Sequence, residues 1–368
     1  MRKVRVEDLV PGMKVAKPIY YNSERLLLGV GMTLTNRLIL RLKYLGIASL
    51  YIDDGVFPPI PDAPTVISQE MRRESIKVTR EVFASLEGKR KIKLKAVRKT
   101  VESLLEEILS HKDVLINCND IRNYDDYTFN HSVNVCVLSI MAGTTLGLNN
   151  SELIEMGVGA LLHDVGKTQI EKAILNKPTL LTEEEYEKVK CHPQLGYDIL
   201  CSLDDVPRLS ATIAYQHHER LDGHGYPLRL KAEQIHQYSS IAAVADVFDA
   251  LTTDRPYRKA CQVNEAIDWI NEMSPAWFEL SAALALVSNL APYPVGTVVM
   301  LNNCQVGQVI DVSRKAPDRP LVRIVIDEEL NYHPLPQEVD LSQEASLYIS
   351  RVLTEAEITA IINRMKNK

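Results

Sequence analysis

The segment HDVGK at residues 163–167 and the segment HHERLDGHGYP at residues 217–227 lie within a long stretch of helical character. From about residue 124 to residue 290, apolar positions recur at helical spacing between polar loops, and no part alternates convincingly like a strand. We therefore predict that this stretch folds as consecutive helices. At this length it is large enough to bury a core of its own.

The segments on either side of this helical centre differ from it. Residues 1–62 combine short apolar runs, turn glycines and one helix-like run, which is typical of a small α+β domain. Four prolines between residues 58 and 64 mark its end, and residues 63–118 are predicted to be a helical linker region. After the helical domain at 119–291, short β-branched runs in residues 292–368 predict a small β-rich domain with a terminal helix. The predicted fold is mainly α.

Composition and charge exclude several classes of protein. Of the 368 residues, 48 are acidic and 42 are basic, and the formal net charge of −6 gives no general attraction to long nucleic acids. No apolar run approaches the roughly 20 residues that span a bilayer, and the first ten residues lack the apolar run of a signal peptide. The six cysteines include no CxxC pair. We expect a cytoplasmic protein without a membrane span.

Histidines and aspartates recur through the predicted helices at separations of 32, 29, 25 and 28 residues. They are His131, His163, Asp164, His192, His217, His218 and Asp246. Mixed imidazole and carboxylate ligands suit iron, manganese or zinc, whereas magnesium and calcium prefer oxygen alone. Seven ligands exceed what one such ion accepts, which favours two ions. Neighbours on a helix diverge by about 100°, which lets Asp164 bridge the ions beside His163.

Each of these side chains also has a simpler explanation when it is taken singly. An isolated interior histidine is more often a hydrogen-bonded core residue than a ligand, and HD and HH pairs occur by chance. The joint pattern favours a metal site, because it includes the lysine of HDVGK and the glycines of HHERLDGHGYP.

Together, these motifs resemble the HD-GYP family of the HD phosphohydrolase superfamily. The resemblance covers roughly residues 124–290 and includes HDVGK, HHERLDGHGYP, HPQLG at residues 192–196 and ADVFDALTTDRPYR at residues 245–258. It implies an HD-type helical domain that hydrolyses cyclic di-GMP in bacterial second-messenger signalling. The first product would be linear pGpG, which some family members cleave further to GMP.

The resemblance also implies roles for individual residues. The seven histidines and aspartates match the family's metal ligands, with Asp164 and Lys167 as the catalytic pair. Lys167 matches a lysine near the scissile phosphate, where a cation stabilises charge on the non-bridging oxygens. The residues that match the dinucleotide pocket are Asp125, Lys167, Tyr226, Arg255 and Arg258. Arginine pairs well with phosphate and guanine, although a surface salt bridge would also explain the two arginines.

One position departs from the family. Some members hold a third metal through a glutamate four residues before the first ligand histidine, whereas this chain has Tyr127 there. We therefore expect two divalent ions rather than three. Iron or manganese is the first expectation, and the same ligands also accept zinc.

The sequence also allows other functions and partners. The same centre would also suit hydrolysis of another cyclic dinucleotide. A receptor that binds cyclic di-GMP without cleaving it would instead act through signalling proteins, but such receptors are expected to lose ligands and this set is complete. The apolar stripe at residues 97–108 is explained equally by a homodimer and by core packing.

Overall fold

The computed structural model describes residues 1–21, 25–45, 47, 49–60, 64–88, 94–111, 114–116, 127–177, 179–253, 260–329 and 331–366. They fall into two compact units. One unit contains the described parts of residues 1–64 and 291–368, and the other contains those of residues 65–116 and 126–290. The division into four segments that we expect from the sequence stays a prediction.

The N-terminal part of the first unit is a small α+β arrangement. Its elements are β1 (Arg2–Arg5), β2 (Lys14–Val15), β3 (Ile19–Tyr21), β4 (Arg25–Leu28), α1 (Asn36–Tyr44) and β5 (Ser49–Asp53). Strands β1, β5 and β2 form an antiparallel sheet in that order, and β3 pairs with β4. The Thr35 side chain caps α1 by accepting a hydrogen bond from the Leu38 amide.

The second unit is built from α-helices. They are α2 (Gln69–Glu87), α3 (Leu94–Ser110), α4 (Tyr127–Thr145), α5 (Asn150–Leu162), α6 (Lys172–Leu175), α7 (Glu183–Val189), α8 (His192–Cys201), α9 (Arg208–Gln216), α10 (Gln237–Thr252), α11 (Val263–Met273) and α12 (Leu280–Val287). Helix α4 packs against α5, α10 and α12, which bury most of its surface. An apolar helix of this kind needs neighbours on several sides. The predicted run of consecutive helices is confirmed.

One local expectation about these helices is wrong. We expected His163 and Asp164 to be neighbours on a helix, but α5 ends at Leu162 and His163 is its C-terminal cap. Asp164 precedes a short 3-10 helix at Val165–Gln169. The backbone therefore leaves α-helical geometry at the predicted bridging carboxylate. Helix α5 begins with a capping box, in which the Asn149 and Glu152 side chains each accept a backbone hydrogen bond from the other residue.

The C-terminal part of the first unit is rich in β-structure. It contains β6 (Val298–Leu301), β7 (Val306–Asp311), β8 (Leu321–Ile326), β9 (Tyr332–Asp340), β10 (Ile349–Val352) and α13 (Glu355–Lys366). The five strands form one antiparallel sheet in the order β10-β6-β7-β8-β9. The predicted fold class, mainly helical with small α+β and β-rich parts, is confirmed. Every helix in the described part of the chain is too short or too polar to cross a membrane.

Candidate metal centre

All seven histidines and aspartates predicted as ligands converge at one place in the helical unit. His131 lies in α4, His163 and Asp164 follow α5, His192 begins α8, His217 and His218 follow α9, and Asp246 lies in α10. Six of them are buried, and His218 is partly exposed. A helical segment contributes to the cluster about once every 30 residues, in agreement with the spacing in the sequence.

Asp164 lies at the middle of this cluster. Its Oδ1 atom is 3.3 Å from Nε2 of His192 and 3.8 Å from Nε2 of His217. Its Oδ2 atom is 3.4 Å from Nε2 of His163 and 3.8 Å from Nε2 of His131. The two carboxylate oxygens therefore face two different pairs of imidazoles.

The orientation of three imidazoles is set by the backbone. His163 Nδ1 lies 2.8 Å from the Ala160 carbonyl oxygen, and His192 Nδ1 lies 2.7 Å from that of Val189. His217 Nδ1 lies 3.0 Å from the Ala214 carbonyl oxygen. Because a carbonyl only accepts, each Nδ1 carries the proton and donates it, which leaves each Nε2 lone pair directed into the cluster. This arrangement is typical of histidines that bind metals.

His131 is oriented by carboxylates instead. Its Nδ1 atom lies 2.6 Å from Oδ2 of Asp249, and its Nε2 atom lies 3.1 Å from Oδ1 of Asp246. Burial lowers the pKa of His131, but the hydrogen bonds to Asp246 and Asp249 outweigh burial and raise the pKa to about 9. A cation bound at Nε2 would displace a proton from this ring.

Three other members of the cluster, His217, His218 and Asp164, have the charge states that metal ligands need. Burial and the neighbouring imidazoles keep the pKa of His217 well below its ordinary value, and burial beside His192 lowers the pKa of His218 to about 3. Burial raises the pKa of Asp164, but Lys167 and His163 outweigh it and hold that pKa well below the usual range. Neutral imidazoles and an ionised carboxylate are the forms that bind metal ions.

The residues present fit a bound metal ion. Three groups in the described part of the chain bring three potential ligand atoms within 4.8 Å of one another. The groups are His192, His217 and His218; His131, His163 and Asp164; and His163, His217 and Asp246. His163 Nε2 and Asp164 Oδ1 are buried and have no hydrogen-bond partner among the described residues. A cation would satisfy both atoms, which otherwise cost free energy in the interior.

The open side of the cluster is lined by residues predicted to contact substrate. Lys167 donates a hydrogen bond from Nζ to Asp164 Oδ2 at 2.5 Å, and its side chain is 29% exposed. The ring of Tyr226 stacks on that of His218 with a centroid distance of 4.7 Å. Lys190 Nζ lies 6.0 Å from the Tyr226 ring centroid. Three further residues predicted for the pocket, Asp125, Arg255 and Arg258, lie outside the described residues.

Glu219 holds the loop that carries Tyr226. Its buried carboxylate accepts hydrogen bonds from the Leu228 amide at 2.6 Å and from the Leu230 amide at 2.9 Å. Gly225 is required in the same loop, because a Cβ there would lie 2.4 Å from the Arg220 amide nitrogen. His224 in the same loop is exposed, with 79% of its side chain facing solvent.

Two residues of the site, Glu219 and Asp249, were not predicted from the sequence. Asp249 follows Asp246 by three residues in α10, and residues at this spacing share one face of a helix. This spacing is a usable signal that both carboxylates face the same centre. Glu219 follows the two ligand histidines directly, but its role depends on how the loop returns, which no local pattern shows.

Comparison with known proteins agrees with this geometry. The family model described as "HD domain" matches residues 103–281, and the model "KOW domain associated with HD domain" matches residues 298–361. The helical unit is therefore an HD domain, the helical domain of metal-dependent phosphohydrolases. Its motifs and the relatives described next support a similarity to the HD-GYP family.

Two curated relatives and one solved structure show this similarity. Cyclic di-GMP phosphodiesterase PA4108 of Pseudomonas aeruginosa is 36% identical over 243 residues, which are 65% of this chain and 57% of the relative. The 3'3'-cGAMP-specific phosphodiesterase 3 of Vibrio cholerae is 37% identical over 171 residues, which are 45% of this chain and 36% of the relative. The structure of Bd1817, an HDG"Y"P protein from Bdellovibrio bacteriovorus, has a TM-score of 0.52 at 19% identity and covers 77% of this chain and 97% of that protein, which supports the fold.

The chain matches only part of these curated relatives. Its 57% share of the Pseudomonas aeruginosa protein and its 36% share of the Vibrio cholerae protein leave substantial parts of both without a counterpart in the alignment. The activities in their names are therefore properties of those proteins.

Proposed function

We propose that the chain is a metal-dependent phosphodiesterase that hydrolyses cyclic di-GMP to linear pGpG, with GMP as a further product to be tested. The convergence of seven histidines and aspartates on one buried centre is the observation that carries this proposal. The name of the Pseudomonas aeruginosa relative supports the substrate. The proposed role is the removal of a bacterial second messenger.

We propose that the centre holds two divalent ions. Two of the three ligand groups share no residue, which supports two separate positions. The opposite orientation of the two Asp164 oxygens supports a bridging role for this carboxylate. Iron or manganese is the proposed pair and zinc is the alternative, because all three accept mixed nitrogen and oxygen ligands.

The chain's own residues define where the phosphodiester would bind. His218 and Lys167 have side chains that are 23% and 29% exposed, whereas the other ligand side chains are at most 9% exposed. A substrate therefore reaches the centre past His218, Lys167 and Tyr226. When bound, divalent ions lower the pKa of water and neutralise charge on phosphoryl oxygens. Lys167 adds a cation beside the same oxygens, and Tyr226 offers a ring face at the entrance.

Replacing Asp164 with asparagine tests the proposal. The amide removes the negative charge and places an NH₂ donor where one oxygen accepts. We expect turnover of cyclic di-GMP to fall by about 1000-fold, the upper end for loss of one stabilising group in an active site. Purification without oxygen, elemental analysis and chromatography of the products on the same sample give metal content and activity together.

The matched control is Asp268→Asn, which removes an exposed carboxylate from α11. It should retain wild-type turnover and metal content. Circular dichroism should show equal helix content in both variants. Undiminished turnover of Asp164→Asn would contradict the assigned role of this carboxylate.

A second substrate deserves a direct test because the Vibrio cholerae relative is named for 3'3'-cGAMP. Protein loaded with iron or manganese would be incubated with cyclic di-GMP, 3'3'-cGAMP and cyclic di-AMP. Faster hydrolysis of cyclic di-GMP is the expected result, and a preference for 3'3'-cGAMP would replace the proposed substrate. Tight binding without product for every metal would indicate a receptor that acts through signalling proteins. A homodimer stays a prediction from the sequence.

A further inference from the structure

A chain of buried hydrogen bonds leads from α2 to His131. Arg72 Nη1 donates to Asn134 Oδ1 at 2.6 Å, and Asn134 Nδ2 donates to Asp249 Oδ1 at 2.8 Å. Asp249 Oδ2 accepts from His131 Nδ1 at 2.6 Å. Three helices, α2, α4 and α10, each contribute to this chain.

Arg72, the outer end of this chain of hydrogen bonds, precedes in sequence the residues that match the HD domain model. The family model begins at residue 103, whereas Arg72 is in the first turn of α2. Arg72 and Asn134 are 62 residues apart, and Asn134 and Asp249 are 115 residues apart. The contact therefore depends on the packing of α2 against α4, which the structure shows.

The positions of donors and acceptors determine how each side chain in this chain of hydrogen bonds is oriented. A guanidinium has only donors, so the oxygen of the Asn134 amide must face Arg72. The NH₂ group of the same amide then faces Asp249, where a carboxylate accepts. The second oxygen of Asp249 accepts the Nδ1 proton of His131, so a cation that displaces the Nε2 proton beside Asp246 would bind at Nε2.

Because these four side chains are buried, each polar group needs its hydrogen-bond partner. Arg72 is 6% exposed, Asn134 is 2% exposed, Asp249 is 1% exposed and His131 is 4% exposed. Water does not replace a lost partner easily in such a place, and an unsatisfied buried polar group costs free energy. If the Asn134 amide turned over, its NH₂ would face the guanidinium and its oxygen would face a carboxylate. Both contacts would then be repulsive.

We infer that Arg72 is a positioning residue that acts through Asn134 and Asp249 to fix the tautomer and orientation of His131, so that α2 sets the affinity of the centre for metal ions. This inference rests on the proposed metal centre. Arg72 itself lies two side chains away from His131 and does not contact it in this chain of bonds. Partners that orient a metal ligand typically change metal affinity by about 10-fold to 100-fold when they are lost.

The experiment compares metal binding to the full chain and to three variants. Arg72→Met keeps most of the apolar stem but removes the donors, and Arg72→Lys restores a donor. Phe83→Leu is the matched control, because Phe83 joins the same two helices through an edge contact with Phe129 at a centroid distance of 5.5 Å. Protein freed of metal is titrated with Mn²⁺, and free Mn²⁺ is measured by electron paramagnetic resonance. Thermal melts of the metal-free proteins report stability.

The inference predicts that Arg72→Met binds Mn²⁺ about 10-fold more weakly, the lower end for an indirect partner of a ligand. Arg72→Lys should recover most of this loss. Phe83→Leu should lower the melting temperature and keep the wild-type affinity. Wild-type affinity in Arg72→Met, or an equal loss of affinity in Phe83→Leu, would overturn the positioning role.

A double-mutant cycle with Asp249→Asn separates this role from a general loss of structure. If Arg72 acts through Asp249, adding Arg72→Met to Asp249→Asn should weaken Mn²⁺ binding by less than about twofold, because the two changes are not independent. Additive losses would overturn the inference. If the wild-type chain binds no Mn²⁺, iron or zinc, the proposed metal centre fails as well, which distinguishes the two outcomes.

Discussion

Replacing Gly166 with alanine should separate two parts of the metal centre. Gly166 lies in the 3-10 helix after Asp164 and packs against the start of α8. A Cβ at this position would lie 2.0 Å from the His192 carbonyl oxygen and 2.5 Å from the Gly196 amide nitrogen. These neighbours are backbone atoms, so they cannot rotate away as a flexible side chain would.

The size of the effect follows from this contact. Ordinary van der Waals contact of a Cβ begins at 3.4 Å, so the gap to the His192 oxygen must widen by about 1.4 Å, which is 3.4 minus 2.0. Asp164 Oδ1 and His192 Nε2, now 3.3 Å apart, lie on opposite sides of the widened gap. Overpacking costs about 1–3 kcal/mol of stability, and a displacement of about 1 Å at a reacting centre costs about 100-fold in rate.

The assay measures turnover of cyclic di-GMP, Mn²⁺ affinity and melting temperature for Gly166→Ala beside Gly196→Ala. Gly196 lies on the other side of the same contact, but a Cβ there would be 3.3 Å from the Gly166 amide nitrogen and 3.5 Å from the Ala214 Cβ. We expect Gly196→Ala to keep its turnover, because shifts of a few tenths of an ångström suffice. Gly166→Ala should lose about 100-fold in turnover. Wild-type turnover and melting in Gly166→Ala would refute the close approach of these backbones.

Two further results are expected. Glu219→Gln places an NH₂ group against the Leu228 or Leu230 amide, and this clash should cost about 1–3 kcal/mol of stability in the loop. In steady-state assays, the substitution should raise KM more than it lowers kcat. An unchanged KM would contradict the role of Glu219 in holding the Tyr226 loop. Chelation with EDTA should lower the melting temperature, and excess Mn²⁺ should restore it, since free ion at a hundred times its Kd stabilises by about 2.7 kcal/mol; a melting temperature that EDTA leaves unchanged would argue against a bound ion.

The helices could be predicted because helical periodicity is local, and the ligand residues could be predicted because their motifs resemble those of a known family. Apolar spacing of three and four residues indicates a helix before any tertiary contact is known. The ligand residues were recognisable by type and by motif, as in HDVGK, although their roles stay a proposal. The local pattern does not show where the backbone leaves a helix, and α5 ends at Leu162, two residues before Asp164.

Contacts between distant segments could not be predicted from the same patterns. Arg2 is buried against Asp54 and Glu355, and the two ends of this last pair are 353 residues apart. The grouping of the first and last segments into one compact unit depends on such contacts. The partners of Arg72 depend in the same way on which helices pack together. Periodicity predicts that a residue is on a helix but does not identify the neighbouring helix.

Hydrogen bonds to the outer nitrogens of the ligand histidines hold this buried polar cluster in a defined geometry. The carbonyl groups of Ala160, Val189 and Ala214 each accept an Nδ1 proton, and Asp249 accepts that of His131. The protein satisfies Nδ1 of these four rings, and an ion would bind at the Nε2 atoms, which face the cluster. Replacing the cluster with apolar residues could stabilise the fold, as it does for many buried charges, but no site would remain for an ion. The cost of the unsatisfied inner atoms is therefore best explained by the binding of metal.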